Sequence, residues 1–159
     1  MNMLRSLLSV SLVAALCLVS TGSASAQAKR LSKKATLYVP AYSSIFHGDL
    51  KWEFNLTVVL SIHNTDLRNK LILEVIDYYD TSGKILRNYI KGKQIVLAPL
   101  ETYTLGIKET DRSGGVGANF IVKWRSTAGI NQPVIETIMI GTREQQGISF
   151  TSRGVVIEE

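Results

Sequence analysis

An all-β sandwich is the fold this sequence predicts, and three observations predict it. Beyond its N-terminal segment the chain reads as short alternating or β-branched runs, and Gly, Pro, Asn, Asp and Ser punctuate them. No later window holds an amphipathic pattern of about ten residues or more, the length a helix would need. About eight to nine short strands in one domain of this size indicate two stacked sheets or a barrel.

The chain opens MNMLRSLLSVSLVAALCLVSTGSASAQ, in which Arg5 precedes an apolar run from Leu7 to Val19 and small residues end at Ala24-Ser25-Ala26. That order of parts is a secretory signal over residues 1–26, cleaved after Ala26. The apolar run is shorter than the roughly 18 residues of a spanning helix, so retention as an anchor is the lesser alternative. Cys17 follows Leu16, where a lipid-attachment signal would carry a small residue, and is read as part of the run. The expectation is a periplasmic or secreted protein with no transmembrane segment in its mature chain. That chain has no cysteine and must stand on its core alone.

Residues 27–34 hold Lys29, Arg30, Lys33 and Lys34 and read as a basic tail, and residues 35–157 as a single sandwich domain. The formal charge of +5 comes from the N-terminal segment, because Lys and Arg balance Asp and Glu from Ala35 onward. A balanced domain and an export signal together exclude nucleic acid as a partner, while the tail allows a weak contact with a membrane surface.

The strands follow in order. LYVPAY comes first. FNLTVVLSIH sets Phe54, Leu56, Val58, Leu60 and Ile62 against Asn55, Thr57, Val59, Ser61 and His63, the alternation of a half-buried strand. LILEVIDYY is expected to place Leu71, Leu73, Val75, Asp77 and Tyr79 on one side and Ile72, Glu74, Ile76 and Tyr78 on the other. DTSGK then turns the chain into ILRNYI, with Gly83 supplying positive φ. QIVL, TYTLGIKE, FIVKWRS, PVIETIMI and GISFTS continue the pattern. In LAPLETY, Leu97, Pro99, Glu101 and Tyr103 recur at every second position, similar to the tyrosine-corner segment of fibronectin-type domains, in which the chain arches between sheets. This sharpens the expectation to an immunoglobulin-like sandwich. Glu101 stands where such domains often carry threonine, and the antibody cysteine pair is absent.

The stretch DRSGGVGANF raises the question of a phosphate cradle. A cradle needs glycines that open onto a helix, with a Lys and a hydroxyl following. Here Asn119, Phe120 and a strand follow, so the reading is a flexible connector in which Gly114, Gly115 and Gly117 relieve crowding and Asn119 tolerates an unusual φ. Strand parity sets this loop beside GTREQQG, Gly141 to Gly147, at one end of the sandwich; an arch at Pro99 would add HNTDLRNK to that end, whereas a kink in one long strand would add HGDLKWE and DTSGK instead. Candidate binding residues on this rim are Asp111, Ser113, Gly114, Gly115, Gly117, Asn119, Arg143 and Gln146, which suit a polar partner.

No catalytic set emerges. His47 and His63 fall at opposite ends by the same parity, which argues against a joint metal site. Asp80 with Ser82 and Asp111 with Ser113 lack the ligand run of a calcium loop and read as turn residues. The mature chain has no cysteine and no serine in a nucleophile-elbow setting. Trp52, Trp124, Tyr78 and Tyr79 are expected in the core or in cross-strand pairs. No cofactor and no metal are expected.

YVPAYSSIFHGD, FNLTVVLSIHNTD, DYYDTSGK, LAPL, SGGVGANFIVKW, IETIMIGT and QGISFTSRG, in that order, resemble a bacterial exported family catalogued as domain of unknown function three-one-two-four. The resemblance spans Leu37 to about Gly154. It implies an envelope protein, sometimes lipid-anchored, and carries no activity with it. The functional expectation is a non-catalytic domain that contacts an envelope protein or polysaccharide through its glycine-rich end. The alternatives are an envelope hydrolase pairing a histidine with a carboxylate, and a small-ligand carrier with an apolar cavity between its sheets.

Overall fold

A computed structural model describes residues 31–143 and 146–159, so the signal read over 1–26 lies outside the described residues. Strands β1 (Ser32–Pro40), β2 (Ser44–His47), β3 (Trp52–Asn55), β4 (Thr57–His63), β5 (Leu71–Tyr79) and β6 (Ile85–Asn88) are followed by β7 (Ile95–Leu97), β8 (Thr102–Ile107), β9 (Asn119–Ile130), β10 (Val134–Arg143), β11 (Gln146–Arg153) and β12 (Val155–Glu158). One sheet has the order β12-β1-β9-β5-β6, with β7 also beside β5. The other is β11-β10-β4-β8, and β2 and β3 form a separate hairpin. The fold is all-β and sandwich-like. More strands form than the sequence suggests because Leu56 interrupts FNLTVVLSIH, the segment from Ser44 to Asn55 folds back on itself, and VVIE adds an edge. β1 also begins at Ser32, within the stretch that reads as tail.

The core follows the alternation. Val58, Leu60 and Ile62 of β4 are fully buried, as are Phe120, Val122 and Trp124 of β9 in the other sheet. Each such side chain contributes about 1.5–3 kcal/mol of gross burial energy. The Thr137 hydroxyl of β10 donates to the Pro40 carbonyl of β1 at 2.5 Å, a polar tie between sheets. β5 departs from strict alternation. Leu71 and Leu73 are buried and so are Ile76 and Tyr78, because the register against β9 shifts between Leu73 and Val75. This bulge moves the inward row from odd to even positions and leaves Glu74 outside, where Arg125 Nε donates to it at 2.7 Å.

β7 pairs with β5 in one sheet and β8 with β4 in the other, so Ala98 to Glu101 carries the chain across. Glu101 is integral to this arch: its Oε2 accepts from Ala98 N–H at 2.6 Å, and its own N–H donates to Ala98 O at 3.1 Å. Asn64 clamps the crossing from below. Its N–H donates to Glu101 O at 3.0 Å, and its side-chain amide donates to Ala98 O and Asn69 O at 2.9 Å. Tyr103 is half-buried against the core.

The arch does not bring HNTDLRNK to the glycine-rich end. β6 and β7 pair with successive halves of β5 and form one descending edge, so they count as one strand in the parity. The 63–70 loop therefore sits at the opposite end, where Asn131 N–H reaches Asp66 Oδ2 and the Thr65 hydroxyl reaches Gln132 O. Asn64 is 2 % exposed and bonds both its own loop and the arch. Replacing it by Ala leaves buried carbonyls unpaired and is expected to cost about 2–3 kcal/mol in chemical denaturation, without changing the strand content seen by circular dichroism.

Candidate functional site

Pro40, Tyr79 and Asn119 stand in register at one end of the sandwich, and the loop from Lys108 to Ala118 closes that end. The glycine-rich stretch inside it is a pinned plug rather than a flexible connector. Thr81 donates its N–H and its hydroxyl to Gly114 O, both at 3.0 Å, and accepts the N–H of Gly117 on its Oγ1 at 2.9 Å. Ser43 donates its N–H at 3.2 Å and its hydroxyl at 3.0 Å to Gly115 O. A Cβ on Gly114 would fall 2.0 Å from the Tyr78 hydroxyl, so only a glycine lets the loop seat on that buried ring. Gly115 has φ +72 and faces Thr81 Oγ1, which again requires the bare backbone. The cradle reading is answered: the amide and carbonyls of these glycines bond within the protein.

Asp111 stands at the start of this plug. Its Oδ1 accepts from the Ser113 N–H at 3.1 Å and hydroxyl at 2.6 Å, and its Oδ2 pairs with Arg87. Burial pushes its carboxyl up, but the Ser113 and Arg87 contacts outweigh it and hold the group below the usual carboxylate range. Asp80 behaves alike. Its Oδ1 accepts from Ser82 and Lys84, and those bonds, the Ser82 hydroxyl first, lower its pKa. Asn119 has extended backbone and is the first residue of β9, not a cap in an unusual conformation. Arg143 and Gln146 pair with each other where β10 meets β11, and their side chains lie outside the described residues. GTREQQG is thus mostly strand, and its Gly141 is buried where a Cβ would meet the Phe54 ring at 2.3 Å.

Between these two groups rises the β2–β3 hairpin, which strand counting passes over as a loop. Ser43 ties it to the glycine plug, and Phe54 packs on Gly141 of β10. Its tip turns through Gly48, Asp49 and Leu50, all at positive φ, closed by Lys51 N–H to Gly48 O at 3.2 Å. Positive φ at successive central residues matches the twist of paired strands. The tip is apolar and exposed: Phe46 is 48 %, Trp52 61 % and Leu50 74 % accessible. Trp52, expected in the core or in a cross-strand pair, stands opposite His47 with ring centroids 5.8 Å apart and covers Gly48. The alternation of aromatic and polar residues in IFHGDLKWEF, centred on a Gly-Asp pair, is the signal that could have revealed a hairpin. Beside it a cleft of about 350 Å³ is lined by Glu53, Phe54, Asn55, Glu109 and Arg112, with Arg112 donating to Glu53 at 2.6 Å.

His63 lies at the other end, its Nε2 2.9 Å from the Ser61 hydroxyl and its Nδ1 2.9 Å from that of Thr102. Among the described residues no histidine pairs with a carboxylate, and no three His, Cys, Asp or Glu side chains converge. A further cleft of about 560 Å³ is lined by Leu86, Arg87, Asn88, Tyr89 and Lys91 along and beyond β6.

Tyr78 has a buried hydroxyl with no well-formed hydrogen bond, and burial raises its pKa, opposed in part by Ser43. Tyr78→Phe should therefore leave stability within about 1 kcal/mol, whereas Gly114→Ala should cost about 2–3 kcal/mol or more. The penalty should shrink in the Tyr78→Phe background, and additive denaturation energies would contradict the contact. Asp66, Asp80 and Asp111 have folded pKa values below their unfolded values, Asp66 chiefly through the Arg68 and Asn69 amides. Their contribution is complete above about pH 4 and is lost as pH falls through the folded values, while Asp77, raised by desolvation, works in the opposite direction. Melting temperature should drop between about pH 4 and pH 2, less steeply in Asp111→Asn, and a flat profile would contradict this.

Residues 34–157 match the family described as protein of unknown function, DUF3124. No curated protein matches the chain. A solved structure described as the crystal structure of Thermotoga maritima 1070 superposes with a TM-score of 0.46 at 13% identity, covering 78% of this chain and 95% of that one, a likeness too loose to bear on fold or function. The match from β1 to β12 takes in both sheets, the glycine plug and the hairpin, and the chain belongs to the DUF3124 family of proteins of unknown function.

Proposed function

We propose that this protein is an exported, non-catalytic interaction domain of immunoglobulin-like type, and that it grips an envelope protein through the β2–β3 hairpin at its glycine-rich end. The observation that carries this reading is the exposure of Phe46, Leu50 and Trp52 on a hairpin belonging to neither sheet. Aromatic side chains held on a rigid base, with an arginine beside them, are the composition from which binding hot spots are made. The base is rigid because the hairpin is bonded to the glycine plug on one side and packed on Gly141 on the other. Asp111, Ser113, Gly114, Gly115 and Gly117 serve in this reading as the mount and not as the contact, while Asn119, Arg143 and Gln146 flank it. The arch at Ala98 to Glu101 supports the immunoglobulin-like type, with Glu101 and Asn64 doing what a corner tyrosine does elsewhere. The leader sequence supports export to the periplasm or beyond, and among the described residues no helix is long and apolar enough to cross a membrane.

Replacing Phe46 and Trp52 together by Ser should leave the melting temperature nearly unchanged, since both side chains are largely solvated. A photo-crosslinking residue at position 50 should yield one discrete protein adduct in intact cells, and the double variant should lose it. Retention of that adduct would rule out the hairpin. Co-sedimentation with purified peptidoglycan, absent in the double variant, would transfer the same surface to a polymer partner.

A further inference from the structure

The opposite end of the sandwich carries a second apolar cluster of a different chemical kind. Leu31, Leu67 and Leu100 are 56 %, 72 % and 65 % exposed. They belong to three separate segments that hydrogen bonds tie into one surface. Asn64 joins the 63–70 loop to the arch through Ala98 O, Thr65 joins the same loop to Gln132, and the Gln132 amide donates to the Ser32 hydroxyl at 3.0 Å. Leu100 sits at φ +63, where Gly or Asn would fit at lower cost, and its side chain is not buried in return. A large apolar side chain in a strained, solvated position needs a reason outside the fold.

We infer that this end docks on the surface of an anionic lipid bilayer, with Leu31, Leu67 and Leu100 entering the interface and Lys33, Arg68 and Lys70 meeting the phosphates. Two observations select lipid as the occupant. The first is sign. Lys33, Arg68 and Lys70 are exposed. Of the acids at or near the same end, Asp66 accepts from the Arg68, Asn69 and Asn131 amides and Glu101 from that of Ala98, while Glu158 and Glu159 share a cleft with Lys34. At the hairpin end Asp49, Glu53 and Glu109 offset Lys51, Lys108 and Arg112. The second is the position of the upstream chain. The described chain begins at Leu31, on this surface, and in a chain cleaved after Ala26 the sequence just before it carries Lys29 and Arg30, two further cations for anionic headgroups. Interfacial binding rises with inserted apolar area and with each cation near anionic headgroups, and neither alone suffices for firm attachment. Docking here would point the β2–β3 hairpin away from the membrane. The inference depends on export but not on the hairpin contact.

The test uses the protein recovered from cells expressing the full chain, with its N-terminus read by mass spectrometry, in flotation with vesicles of phosphatidylglycerol or of phosphatidylcholine. Flotation with phosphatidylglycerol alone, weakened by salt, is expected. Leu67→Ser with Leu100→Asn should reduce it at least about tenfold, as should Arg68→Glu with Lys70→Glu. Asn suits the positive φ at position 100, so unchanged melting of the leucine variant separates lost docking from lost folding. Phe46→Ser with Trp52→Ser should float as the parent does. Equal flotation with both lipids, full flotation of both variants, or loss of flotation only in the hairpin variant would overturn the inference.

Discussion

Each sheet can bury only every second side chain, and the rest of this structure answers to that constraint. Val58, Leu60 and Ile62 from one layer share a core with Phe120, Val122 and Trp124 from the other, so the two strands cannot slip by one residue without turning their apolar rows to water. β5 meets the same demand with an out-of-phase sequence, and the bulge between Leu73 and Val75 reconciles the two. An extra residue in one strand costs a local loss of pairing. A whole misphased strand would expose Ile76 and Tyr78.

Stacked sheets leave their ends open, and the two ends are closed by different chemistry. One is sealed by side-chain amides and carboxylates that serve several backbone segments: Asn64 on the arch, Asp66 on two amides of its own loop and on Asn131. The other is sealed by backbone itself. There the missing side chains of Gly114 and Gly115 let carbonyls reach Thr81 and Ser43 over the buried ring of Tyr78. Polar residues at an end are thus mostly consumed by closure. The apolar surface that closure does not use lies on the hairpin at one end and on three leucines at the other. Of the polar rim, Asp111, Ser113, Gly114, Gly115 and Gly117 are held in internal bonds.

Much of the fold was legible because alternation and turn chemistry are local. The inward row of β4, the Asp-Ser turns at Asp80 and Asp111, and the crossing near Pro99 can each be read within a few residues, and each forms as read. The rim was legible less well. The reason its glycines are glycine lies in Tyr78 and Thr81, more than thirty residues away. Trp52 takes the second of the two places open to a sandwich aromatic, a cross-strand pair with His47, and the hairpin's separation from both sheets leaves that pair in solvent.

By itself, then, the sequence determined the all-β class, the alternating core rows and the basic excess of the first 34 residues, because each follows from residue type and spacing along the chain. Tertiary structure alone decided that β6 and β7 act as one edge, that β5 is re-phased by a bulge, which loops share an end, and which apolar residues are left exposed. Those outcomes depend on contacts between distant segments, and pairing between strands is a property of their shared geometry that no single strand encodes.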